Sequence, residues 1–167
     1  IELLKKYCTP FKVFTIQQGS YISTKWVNTP GYLFQGINQK LYFPTNTEGF
    51  KFLSTTCKTV SLYEENDSDT LVITKGWKDF LELKERLPNY DWVVPNSEKL
   101  TYSVLSQTVD VTKYKKVKVL FDNDETGMLF GNLLCEEINK IVPCKFYLVP
   151  MVKDFDELLD TNYVESF

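Results

Sequence analysis

The rhythm of apolar and polar positions changes part-way along the chain. Up to residue 60 the apolar residues come in short pieces, "FKVFTI" (11–16), "KLYFP" (40–44) and "FKFLS" (50–54). Gly19, Pro30, Gly31, Gly36, Pro44 and Gly49 interrupt them. Short extended pieces between turn residues predict a small β-rich, α+β region. The acidic run "EENDSD" (64–69) reads as a polar loop, and the domain boundary is expected there, giving units of 1–63 and 70–163.

Beyond that loop, strand-like and helix-like patterns alternate. "TLVIT" (70–74) is a continuous apolar run, and "GWKDFLELKERLP" places apolar residues at 77, 80, 81, 83 and 87, mostly at helical spacing, until Pro88 stops it. "DWVVP" (91–95) predicts a second strand, 97–107 a short helix capped by Ser97, and "KVKVLF" (116–121) a third strand. Residues 125–142 predict a long amphipathic helix, "CKFYLVP" (144–150) a fourth strand, and "DFDELLD" (154–160) a last short helix. Strand–helix alternation with short connections means an α/β fold, a parallel sheet flanked by helices. Ligands of such sheets sit beyond the carboxyl ends of the strands, where Lys75, Asp79, Asp122, Asp124 and Asp154 are expected to gather.

Composition narrows the chemistry. The chain has 167 residues, 43% hydrophobic and 25% charged, as in an ordinary globular protein. No apolar run approaches the ~20 residues of a membrane span, so no membrane association is expected. An opening Ile rather than Met points to a piece of a longer protein. The sequence holds no histidine, and its four cysteines form no CxxC pair, which argues against zinc and against imidazole-based nucleophilic chemistry. Free cysteines suit a reducing cytoplasm.

Charge is divided unevenly. Residues 1–60 carry seven lysines against two glutamates, a balance of +5, whereas residues 61–167 carry twelve basic and twenty acidic residues, a balance of −8. The first part also holds 11 of the 25 aromatics. Lysines interleaved with aromatics can follow phosphates and stack on bases. Lys25, Trp26, Lys40 and Tyr42 are the candidates for that role. The competing reading is a small β domain whose aromatics fill its core.

The strongest local signal is "VKVLFDNDETG" (117–127), where an apolar strand runs out into two carboxylates one position apart. On an extended segment Asp122 and Asp124 share a side, repel each other, and call for a shared cation. The alternative is a helix cap and a solvated charge.

"VITKGWKD", "LFDNDETG" and "VPMVKDFDELL", in that order, resemble the Toprim domain of DnaG-type and phage primases, topoisomerases and certain nucleases. Gly76, Asp79, Asp122, Asp124 and Gly127 match its pattern, the ending "KDFDELL" is similar to the primase branch, and "YLFQGINQKLYFPTN" is similar to the small basic subdomain that precedes it. The resemblance implies a DNA primase core that makes RNA primers from ribonucleoside triphosphates on a single-stranded DNA template, beside a replicative helicase. It implies Mg²⁺ or Mn²⁺ held by Asp122 and Asp124 with Asp79, phosphates approached at Gly76 and Gly127, a further phosphate contact from Lys153, and Asp154 at the nucleotide site as a cap of the last helix or a group reaching the metal.

One position departs from that pattern. Lys75 stands where the family carries its acid–base or metal-binding Glu, and a protonated lysine cannot ligate a metal. Three readings follow: a degenerate Toprim module that only binds nucleic acid, an inactivating substitution, or an active site in which another group replaces the Glu. A Toprim nuclease is disfavoured by the primase-like first segment. If the expected strand order holds, the Lys75 ammonium lies within reach of Asp122 or Asp124.

Overall fold

In the computed structural model the chain falls into two units, Ile1–Thr55 and Thr56–Phe167. The structure describes residues 2–148, except 19, 47–49 and 55–58 and the side chains at 3, 13, 18 and 26–28. Lys153, Asp154 and the last expected helix lie outside the described residues, as does the side chain of Trp26.

The first unit opens with a short helix, α1 (Glu2–Tyr7), followed by strands β1 (Pro10–Gln18), β2 (Tyr21–Gln35), β3 (Gln39–Tyr42) and β4 (Phe52–Ser54). They form one antiparallel sheet in chain order. The Pro30–Gly31 pair does not break the second strand, contrary to the sequence reading. Pro30 is tolerated because β1 and β2 slip out of register there: Phe11 pairs Gly31 but Val13 pairs Trp26, so the residues between need no ladder partner. Gly31 is needed for room, since a Cβ there would lie 2.6 Å from the Phe43 ring and 2.7 Å from Phe11. Those rings, with Phe14 and Phe50, build an edge-to-face aromatic cluster.

The second unit holds the α/β sheet. Its strands are β5 (Val60–Glu64), β6 (Thr70–Thr74), β7 (Asp91–Pro95), β8 (Lys116–Phe121) and β9 (Cys144–Leu148), in the order β5-β7-β6-β8-β9. All neighbours are parallel except β5 against β7. β5 precedes the acidic loop but already belongs to this sheet, so the second unit begins earlier in the chain than the change of sequence pattern. The expected helices appear as α2 (Trp77–Arg86), a single turn α3 (Tyr102–Leu105) and α4 (Glu125–Asn139). The helix expected over 97–107 is thus confined to one turn, and its cap is Thr101, whose side chain accepts from the Val104 N–H. Ser97 instead closes a local turn onto the Lys99 N–H.

The central strands are buried on both faces, which explains their unbroken apolar runs. Leu71, Ile73, Val93, Val117, Val119 and Phe121 pack with Leu134 and Ile138 of α4. On the other side, Trp92 meets Phe80 of α2. From β6 the chain steps to β7 on one side, then crosses to β8 on the other. This reversal falls at the carboxyl ends of β6 and β8, the place where such sheets receive ligands.

Candidate functional site

Three neighbouring parallel strands, β7, β6 and β8, deliver their carboxyl ends side by side. The residues just beyond them are Glu98, Lys75 and Asp122, with Lys75 on the middle strand's exit. Its ammonium forms a close ion pair with Asp122 Oδ1 and lies 3.7 Å from Asp79 Oδ1, one helical turn into α2. Burial works against the charged lysine, but Asp79 and Asp122 outweigh it and hold its pKa above the ordinary value. Asp79 is only 8% exposed, and burial pushes its carboxyl up to about 6 despite the pull of Lys75.

The carboxylates of Glu98, Asp122 and Asp124 converge, with one oxygen of each within 4.8 Å of the others. Burial, then a hydrogen bond to Asp122 and the charge of Asp122, push the Glu98 carboxyl up to about 7. Glu98 Oε1 is nevertheless buried without a hydrogen-bond partner. Asp124 has two duties. Its Oδ1 accepts from the Gly127 N–H at 2.7 Å and caps α4, so the cap reading of this residue holds alongside its place among the carboxylates.

The two motif glycines differ in what they do. A Cβ at Gly127 would lie 2.2 Å from the Asp122 carbonyl oxygen, so this glycine lets the first turn of α4 fold tightly against the end of β8. It therefore shapes Asp122, a more specific demand than the phosphate approach expected for it. At Gly76, which precedes α2 in extended backbone, a Cβ would meet nothing within 4 Å, so a side chain there would have room.

No family model matches the sequence, and among curated proteins no relative is found. The fold resembles part of known DNA primase domains. It is similar to a DNA primase domain from Pseudomonas aeruginosa, with 13% identity, a TM-score of 0.63, and coverage of 87% of this chain and 51% of that one. It is also similar to a DnaG primase catalytic domain bound to single-stranded DNA, with 15% identity, a TM-score of 0.57, and coverage of 89% and 53%. The chain spans about half the length of either structure.

Against this primase-like fold the sequence-derived residues sort clearly. Lys75, Asp79 and Asp122 come together, and Asp124 and Glu98 each come within 4.8 Å of Asp122. Asp79, expected among the metal ligands, lies 3.7 Å from the Lys75 ammonium, beside the group of Glu98, Asp122 and Asp124. Glu98 was missed by sequence reasoning, and only its place just after a parallel strand could have flagged it. In the first unit, Lys25 is exposed, and Lys40 lies 4.8 Å over the Phe52 ring. Tyr42, expected to stack on bases, is 8% exposed, with its ring stacked on Phe34 and on Phe52. Both faces of that ring are taken by protein, so Tyr42 is a core residue. No described helix is long and apolar enough to cross a membrane.

Proposed function

We propose that the chain is the Toprim-containing core of a DNA primase, making RNA primers on single-stranded DNA by metal-dependent nucleotidyl transfer. The observation that carries this reading is the convergence of Glu98, Asp122 and Asp124 at the strand-order reversal of a primase-like sheet. The donor set fits a hard divalent cation. Three carboxylates supply oxygen ligands, and the unpartnered Glu98 Oε1 is a buried acceptor in need of a cation. Mg²⁺ or Mn²⁺ bound there supplies charge neutralisation for a ribonucleoside triphosphate undergoing phosphoryl transfer.

The chain's own residues do the rest. Lys75 cancels charge on Asp79 and Asp122, which would otherwise repel an incoming triphosphate. Gly76 caps α2 without a side chain, and the positive end of that helix would favour phosphate oxygens approaching it. Exposed lysines of the first unit, Lys25 among them, would follow the template backbone. Lys153 would add a phosphate contact, Asp154 would reach the metal, and a replicative helicase would be the natural partner.

A second reading, a nucleic-acid-binding module without catalysis, draws support from the ion pair of Lys75 with Asp122, which occupies one oxygen of the expected metal ligand. The experiment is primer synthesis on single-stranded DNA with ribonucleotides and Mg²⁺ or Mn²⁺, beside a nuclease assay on the same template. Primer products establish the first reading. DNA binding without products favours the second, and template degradation would replace both with a nuclease.

A further inference from the structure

The structure assigns two different cations to the two halves of this acidic site. We infer that Lys75 permanently fills one half as a tethered ammonium, and that Glu98 completes the other half as the ligand of a single divalent ion. The inference rests on the metal-dependent reading above and deepens it by fixing which carboxylates bind and how many ions they take.

Among the described residues, four carboxylates face this end of the sheet: Asp79, Glu98, Asp122 and Asp124. Lys75 leaves the middle strand and reaches Asp79 on α2 and Asp122 beyond β8. Two-metal phosphoryl-transfer sites set their ions about 3.5–4 Å apart, bridged by shared ligands. Here an ion on the Asp79 side would have to take its oxygens from the two carboxylates that already hold the ammonium. Lys75 therefore stands in that ion's place.

The remaining half has a different character. Glu98 lies on the far side of β6 from Asp122 in strand order, yet its side chain crosses to hydrogen-bond Asp122. One of its oxygens is buried with no partner. A buried acceptor left unmade is costly, and a divalent cation between Glu98, Asp122 and Asp124 would satisfy it. Mg²⁺ and Mn²⁺ accept a few carboxylate oxygens and complete their octahedron with water. In effect, the carboxylate missing at position 75 is supplied from position 98, one strand over.

The test is Mn²⁺ alone, titrated into the full chain without nucleotide or DNA and followed by calorimetry and by the free-Mn²⁺ electron paramagnetic resonance signal. The expected result is one ion per chain. Glu98→Gln should weaken it at least ten-fold while circular dichroism stays unchanged, and Lys75→Glu should raise the capacity to two. Two ions in the unaltered chain, no binding at millimolar Mn²⁺, or unchanged affinity in Glu98→Gln would each overturn the inference. Should Lys75→Glu fail to fold, Lys75→Gln serves instead, and a capacity still limited to one ion counts against the tethered-cation role. Primer synthesis is scored separately. One ion bound through Glu98 with no primer made overturns only the proposed function, and primer synthesis with a Glu98-independent ion overturns only this inference.

Discussion

Replacing Lys75 with Met removes the ammonium but keeps most of the side chain's apolar stem, which isolates the electrostatic part of its role. At 3.7 Å, with an effective dielectric near 20, its attraction to Asp79 is about 4 kcal/mol before desolvation is subtracted. Asp79 is 8% exposed, so once its partner is gone its charge has little water to turn to. Breaking a buried pair from one side costs about 3–5 kcal/mol. Lys75 is itself 24% exposed, and Asp122 36%, which places the expected loss near the lower end, about 3 kcal/mol at pH 8.

At pH 5 the cost should shrink. Asp79 has its pKa pushed up to about 6, and it rises further when Lys75 is removed, so at pH 5 the carboxyl is protonated with or without the lysine. Only the more exposed Asp122 contact is then lost, worth about 1 kcal/mol or less. Between pH 6 and 8 the folded variant binds more protons than its unfolded chain, so its stability falls as pH rises. Urea denaturation in EDTA at both pH values measures this directly. An equal loss at pH 5 and pH 8, or a stabilised variant at pH 8, would refute the placement of Lys75 as the counter-charge of a buried Asp79.

The unaltered protein should show the same sign. Asp79, with a pKa of about 6, and Glu98, with one of about 7, both sit above ordinary carboxylate values, so metal-free stability should decline from about pH 4.5 to 7, and millimolar Mn²⁺ should reverse much of the decline in melting temperature at pH 8. Asp124→Asn keeps the cap on Gly127 and should leave stability nearly unchanged while weakening metal binding, whereas Asp124→Ala should also cost about 1 kcal/mol in urea denaturation. Gly127→Ala forces a methyl into the Asp122 carbonyl and should destabilise the chain by about 1–3 kcal/mol or more, with metal affinity falling alongside when read by calorimetry. Lys25→Glu should weaken single-stranded DNA binding several-fold and flatten its salt dependence by fluorescence anisotropy; an unchanged salt slope would remove Lys25 from the interface.

What could be read in the sequence, and what could not, follows from how local each feature is. "TLVIT", "DWVVP" and "KVKVLF" announce buried parallel strands because both faces are covered, and the spacing of Asp122, Asp124 and Gly127 reports a strand end turning straight into a helix. β2 was hidden because Pro30 and Gly31 ordinarily end a strand, and only the register slip against β1 and the rings beside Gly31 show why they do not. β5 was hidden because it pairs with β7, about thirty residues later in the chain, and runs directly into acidic residues. Tyr42 looked available for bases because one side of an exposed strand and one side of a core strand share the same period of two. Glu98 carries no motif, only its place just after β7: its importance comes from the strands beside it.

That dependence bears on how such a centre changes over evolutionary time. Adjacent strands lie about 4.8 Å apart, a gap that a glutamate side chain spans with ease. Where β7, β6 and β8 end together, a carboxylate is therefore nearly interchangeable among three exits, although those exits are separated by long stretches of sequence. A ligand can migrate sideways across the sheet in two substitutions, a new acid on one exit and the loss of an old one on the next, without moving a single backbone atom of the core. A motif defined along the chain records that migration as decay, while a pattern defined across the strand ends would record a site that has kept its charge and changed its address.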